Sequence, residues 1–343
     1  MSLLKSKKFH SALGALVSIA LILYFAFKLD WHEVGAQLLR VHYIVFVPMI
    51  LGVIIHMLLR AQRWRYFLPQ GNRVSGQVLF DSIMLGALAT FILPGRVGEI
   101  VRPYALSRKS SVPFPIGFAS VVIERFFDLA AVLISFGVLT LLMPGMDPKI
   151  YVGAQVLGTM ALAILACIIL GAFAPGVVRT LSKSCCQIFP ERFRGMILHF
   201  VEQLIEATVV LKNPANLGMA VLFTALVWGS NYVVYYIYTY LVDVEPSMLL
   251  AVAVAIVLAF AVALPSTPGF IGVYQAGCIV GFNLFGYSEA TGMTFAIVTH
   301  VFQYAVFVVY GGYLMLRDNL HMADLRGAGD PAIDSRKNTT IIT

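Results

Sequence analysis

Apolar runs of bilayer length alternate with short polar intervals along most of the chain. The runs at 11–29, 43–60, 114–143, 150–173, 215–242 and 291–316 are long enough to cross a hydrocarbon core. Trp31 to Val41 is short and mixed, which predicts an interfacial helix. Two stretches break the pattern. Val78 to Leu93 reads as a helix too short to span comfortably, and Pro94, Gly95 and Gly98 then interrupt it before a second short helix of about 97–107. The apolar stretch 248–286 is interrupted in the same way, by Pro265, Ser266, Thr267, Pro268, Gly269 and Gly272. A Pro/Gly break at membrane depth is costly unless it lines a wet or protein-walled cavity, so the pair is expected to form the two halves of a transport site. The stretch 177–212 is basic and amphipathic without a spanning run, and 319–343 is expected to be a disordered cytoplasmic tail.

The pattern therefore predicts an all-α polytopic membrane protein of about seven transmembrane helices plus two re-entrant broken-helix elements. A composition of 59% hydrophobic and 12% charged residues excludes a soluble domain, and a net charge of +7 then speaks of topology rather than nucleic acid. With both termini cytoplasmic and both broken elements re-entrant, 20 of the 24 Lys/Arg fall on the inside and only Lys28, Arg40 and Lys149 outside. In that arrangement 43–143 and 215–316 run in opposite senses, as inverted-topology repeats within one transmembrane domain of residues 1–318. Lys5, Lys7 and Lys8 before an apolar run resemble a signal peptide, but no convincing small-x-small cleavage site is present and further spans follow at once, so a retained first helix is expected. Four cysteines, two of them adjacent at Cys185 and Cys186, make neither a disulfide framework nor a metal motif.

Charge inside the apolar runs carries the candidate chemistry. Glu124, Arg125 and Asp128 lie in the 114–143 span, with Arg125 ~18 Å along the helix from Pro113. Glu124 and Asp128 share a face at i,i+4, and Arg125 reaches Asp128 at i+3. The first break is expected to bring Arg96, Glu99 and Arg102 to the same depth, in pairs such as Glu99–Arg125 or Arg96–Asp128. Removing Arg125 is then expected to strand a buried carboxylate. Arg60, Arg63 and Arg65 are placed where the second span meets the cytoplasm, as a basic vestibule suited to a phosphate or other anionic head group. The second half is neutral, with Pro265, Ser266, Thr267, Tyr274 and Gln275 at the break and Asn231, His300 and Gln303 on the flanking spans. A self-satisfied ion network and a lone core histidine are the plain alternatives for these groups.

At these residues the chain resembles the transmembrane region of lysylphosphatidylglycerol synthases and the wider flippase-like family named after it. The matching stretches are the arginines from Arg60 to Arg65, Pro94-Gly95-Arg96-Val97-Gly98-Glu99-Ile100-Val101-Arg102, Glu124-Arg125-Phe126-Phe127-Asp128, and Pro265 to Gly272. The resemblance covers about 8–318 and implies a lipid-translocating domain with re-entrant helices. It does not imply lysyl transfer, because only 27 mostly polar residues follow the last span and the aminoacyltransferase domain is expected to be absent.

The expected function is a flippase or transporter for an anionic or zwitterionic lipid of phospholipid, aminoacyl-lipid or polyprenyl-phosphate type. A proton-coupled transporter of a small anion is the alternative, with Glu99, Glu124, Asp128 or His300 as proton sites. An intramembrane transferase ranks below both: no His-Glu-x-x-His, Gly-x-Ser-x-Gly or aspartate-rich metal pair occurs. The chain is expected not to be an enzyme and to use no cofactor or metal. Its expected partners are membrane lipids, with a second copy of the chain and a separate lipid-modifying enzyme as further candidates and no nucleic acid. The expected location is the bacterial inner membrane.

Overall fold

The computed structural model of the chain describes residues 16–69, 73–93, 97–143, 191–263 and 267–326, and part of 152–187. All regular structure among them is helical: α1 (Leu16–Lys28), α2 (Trp31–Leu38), α3 (Phe46–Arg65), α4 (Gly76–Ile92), α5 (Gly98–Lys109), α6 (Phe114–Leu142), α7 (Pro175–Cys186), α8 (Glu191–Thr208), α9 (Pro214–Thr239), α10 (Met248–Ala261), α11 (Val273–Asn283), α12 (Glu289–Arg317) and α13 (Met322–Arg326). Four stretches among the described residues are long and apolar enough to cross a bilayer: Tyr43–Arg65, Phe114–Leu142, Pro214–Thr239 and Glu289–Arg317. Helices α1, α4 and α10 are apolar but shorter, and the run at 150–173 lies partly outside the described residues. Large apolar side chains such as Leu58, Leu141, Val309 and Leu316 are exposed on the outer faces. A surface of that kind belongs in lipid, and the chain is an integral membrane protein.

Helices α4 and α5 form an antiparallel hairpin whose open ends meet at one end of the bundle. Ser75 caps α4, accepting a hydrogen bond from the Val78 N–H at 3.2 Å. Close packing sets the hairpin. A Cβ on Gly98 would lie 2.0 Å from Thr90 Oγ1 and 2.1 Å from the Gly86 carbonyl oxygen, so only glycine fits there. The open ends are tied by charge. Asp81 is buried and accepts from Gln77 Nε2 at 2.7 Å, Tyr310 OH at 3.2 Å and Arg317 Nη2 at 2.6 Å. Lys109, at the far end of α5, pairs with Asp318 and lies 4.0 Å from Asp81. Partial burial pushes the Asp318 carboxyl up, but hydrogen bonds from Arg317 and Lys109 outweigh it and hold the group below its usual range. Its contribution to stability is therefore complete above the unfolded value of about 3.9 and is lost as pH falls through the lower folded value.

Helices α10 and α11 make a second hairpin, with Gly281 against Val254 and Gly277 against Leu258. Between them the backbone turns through positive φ at Gly269 (67°), Phe270 (61°) and Gly272 (89°). Gly269 is wedged against Tyr304, whose hydroxyl donates to the Phe91 carbonyl at the end of α4. Phe91 packs against Tyr304, Phe307 and Phe270, at centroid distances of 4.6, 5.2 and 6.5 Å, so the inner ends of the two hairpins meet around it. Both expected breaks are present, although Pro94–Arg96 and Leu264–Ser266 lie outside the described residues.

Two expectations need correction. The second span continues as helix to Arg65 rather than ending near 60, because Arg63 and Trp64 are fully buried and extend its inward face. The tail expected to be disordered is folded over its first turn. Leu325 is buried in the main core with Leu320 and Met322 packed beside it, and the Asp324 carboxylate accepts from the His321 N–H at 2.9 Å. Residues 327–343 lie outside the described residues.

The hairpin packing makes a prediction. Gly98→Ala should force α4 and α5 apart and cost about 3 kcal/mol, the upper range for overpacking. Gly137→Ala on α6, which has nothing within 4 Å of the added carbon, should leave stability level or slightly raised. Melting temperatures of the two purified variants check this.

Candidate functional site

Helical spacing places Arg60, Arg63 and Trp64 on one face of α3, Glu99 and Arg102 on α5, and Glu124, Arg125 and Asp128 on α6. The three helices converge on Glu124, which is fully buried. Arg102 donates to it with both terminal nitrogens, Nη1 to Oε1 at 2.9 Å and Nη2 to Oε2 at 2.7 Å. Arg63 Nη2 donates to Oε1 at 2.7 Å, while Arg63 Nη1 reaches Asp128 Oδ1 at 2.5 Å. Trp228 Nε1 on α9 donates to the same Asp128 oxygen at 3.1 Å. The Arg102 guanidinium lies 3.8 Å from the ring centroid of Trp64, whose Nε1 donates to Ser120 Oγ at 2.8 Å. Two buried arginines thus neutralise two carboxylates in short, charge-assisted hydrogen bonds. Arg63 Nε and Arg102 Nε remain buried donors without an acceptor among the described residues.

A second layer of charge lies on this base. Arg125 is 42% exposed and contacts Glu124, Asp128 and Glu99 at 3.3, 3.4 and 3.6 Å. Glu99 is 39% exposed, and Arg60 is 23% exposed and 3.9 Å from Glu124. Arg60, Glu99, Arg102 and Arg125 line a central cavity of about 340 Å³. Its other wall is neutral: His56, Trp228, Asn231, Tyr235, Tyr238, Tyr274, His300 and Gln303. Gln303 Nε2 donates to the Tyr274 hydroxyl at 3.1 Å, and that hydroxyl also pairs with Thr299. His300 Nε2 lies 2.7 Å from the Gly269 carbonyl, so that nitrogen carries the proton and Nδ1 accepts from Gln275 Nε2 at 3.1 Å. Both ring nitrogens are engaged in holding the α10–α11 turn.

The sequence-derived residues therefore divide. Arg60, Glu99, Arg102, Arg125, Asn231, Tyr274, His300 and Gln303 reach the cavity. Arg63, Glu124 and Asp128 lie together beneath it. Arg96, Pro265 and Ser266 lie outside the described residues. Gln275 does not line the cavity: it braces His300 and accepts from the Gly272 N–H at 2.8 Å. Thr267 faces α1, where Ser18 Oγ donates to its hydroxyl at 3.1 Å. Arg63 and Arg125 exchange their expected places. Arg63 joins Arg102 as a buried cation of the network, and Arg125 is exposed. Sequence reasoning missed Trp64, Ser120 and Trp228; their signal was a polar or indole group at helical spacing from the charged positions.

A helical membrane protein with a half-charged, half-neutral cavity between two broken-helix hairpins is the class this geometry defines. Residues 11–311 match the family described as Lysylphosphatidylglycerol synthase TM region, and the chain belongs to it. The protein named Glycosyltransferase AglD of Haloferax volcanii is 26% identical over 298 residues, covering 77% of this chain and 47% of the relative. The chain thus spans about half the length of that relative. No solved structure matches the chain. Family and relative together indicate a membrane lipid-related function. The expectation that the chain is not an enzyme is corrected here, since 77% of this chain is similar to a relative that carries an enzyme's name.

The two layers should respond differently to substitution. Arg63→Met takes from Asp128 its buried cation and from Glu124 one of its two, leaving the buried layer short of a positive charge, and should cost about 3–5 kcal/mol. Arg125→Gln should cost under about 1 kcal/mol, because Glu124 keeps Arg63 and Arg102, and Asp128 keeps Arg63 and Trp228. Thermal unfolding in detergent measures both.

Proposed function

We propose that this protein carries an anionic or zwitterionic lipid between bilayer leaflets, its head group passing through the cavity while the acyl or prenyl chains stay in lipid. One observation carries the reading. Arg125 lines the cavity yet lies on the same face of α6 as Val122 and Leu129, and Leu129 is exposed without lining the cavity. A charged side chain so placed marks a lateral opening through which a head group can enter from the bilayer, where a small soluble anion needs none. In this reading α4–α5 and α10–α11 are re-entrant elements of two inverted repeats, with the Lys109 and Arg317 end cytoplasmic. Arg60 and Arg125 take the phosphate. Asn231, Tyr274 and Gln303 take the neutral part of the head group.

A second reading rests on the name of the relative. A glycosyl-transfer role would use the same phosphate-binding wall to hold a lipid-phosphate sugar acceptor or donor, with the neutral wall against the sugar. Sugar transfer to or from a lipid phosphate by the purified chain, without leaflet exchange, would favour it.

The test is exchange of a fluorescent phosphatidylglycerol between leaflets of proteoliposomes. Arg60→Gln/Arg125→Gln should reduce the rate at least about tenfold, a loss of some 1.4 kcal/mol, while melting within a few degrees of the unaltered protein. Full exchange by a folded double variant would remove both arginines from the path.

A further inference from the structure

Among the described residues the site holds four arginines against three carboxylates, and they are unequally committed. Arg63 and Arg102 are used up by Glu124 and Asp128 at 2.5–2.9 Å. Arg125 has only contacts of 3.3–3.6 Å, longer than charge-assisted hydrogen bonds of about 2.7–2.9 Å. Its approach to Glu99, at 3.6 Å, is an ion pair without a hydrogen bond, and both side chains are about two-fifths exposed. Glu99 is also the second residue of α5, directly after Gly98, whose backbone is locked against Gly86 and Thr90. Any rearrangement of this carboxylate is therefore rotation of a side chain on a fixed backbone.

An acidic group facing the cavity beside the most exposed of these arginines is unexpected in a site meant only to capture anions. We propose that Glu99 is a built-in competitor for the substrate anion. In the empty site its carboxylate occupies the place beside Arg125. An arriving phosphate offers more oxygens and displaces it, and the returning carboxylate helps expel the phosphate on the other side. Glu99 thereby trades affinity for release, which a carrier needs because an anion held too firmly does not leave. The inference rests on the reading of this wall as a phosphate site. It adds a residue that sets turnover rather than one that binds.

The experiment compares the full-length protein with Glu99→Gln and with Glu99→Asp, which draws the carboxylate back by one methylene. Binding of phosphatidylglycerol in nanodiscs and of inorganic phosphate in detergent is measured, together with leaflet exchange and melting temperature. Glu99→Gln should bind phosphatidylglycerol roughly fivefold more tightly and exchange it more slowly at saturating lipid, with an unchanged melting temperature. Glu99→Asp should shift both in the same direction by less, and it serves alone if the glutamine variant does not fold. Tightening toward inorganic phosphate as well assigns the competition to the bare anion; tightening toward the lipid alone assigns it to the seated head group. Either supports the proposal. Weaker or equal binding of both probes, or a parallel fall in melting temperature, overturns it and shows Glu99 to be a brace for Arg125. If Glu99→Gln tightens binding but the unaltered protein exchanges no lipid, the competitor stands and the transport reading falls.

Discussion

Glu124 is a carboxylate with no exposure in the middle of a membrane helix, and the rest of the site follows from how it is satisfied. An isolated charge there would be untenable, so two guanidinium groups must reach it from other helices. Arg63 arrives from α3 and Arg102 from α5, and their hydrogen bonds fix those helices against α6 at a single register. Trp64 completes the arrangement, stacking under Arg102 while donating to Ser120 on α6. Such a network is weak evidence for extra stability, since apolar replacements can pack as well. What it specifies is which charges end up inside and which remain available.

That division gives the cavity its chemistry. Because the buried layer is neutral by itself, Arg60 and Arg125 are not required to hold the helices together and are free to meet a ligand. The hairpins that close the cavity are each tied to elements outside themselves. Asp81, Lys109, Arg317 and Asp318 fasten the open end of α4–α5 to the end of α12, and Ser18 on α1 fastens the turn of α10–α11 through Thr267. Among the described residues the inner ends meet through aromatic packing around Phe91 and a Tyr304 hydrogen bond.

Much of this was legible in the sequence. The two breaks, the short helices beside them and the place of Glu124 to Asp128 within one long helix followed from apolar run length and the positions of Pro and Gly. Which arginine pairs with which carboxylate did not follow. Periodicity puts Arg60, Arg63 and Arg125 on faces, but only the packing angle of α3 against α6 decides that Arg63 points inward and Arg125 toward the rim. Gln275 and Thr267 were assigned to the cavity because they flank a break. Positive φ at three residues turns the chain there, and that turn sends them to His300 and Ser18 instead. The fold of Leu320 to Leu325 was missed because three apolar residues in a polar tail are too few to read as a helix, yet they suffice to dock one.

The central claim is that the exposed arginines, not the buried ones, hold a lipid phosphate. Native mass spectrometry of the protein released from mild detergent addresses it directly, by weighing what remains bound. The account predicts that the unaltered protein retains a phosphate-bearing lipid and that the folded Arg60→Gln/Arg125→Gln protein does not. Equal retention by both, or a bare protein in each case, would contradict it.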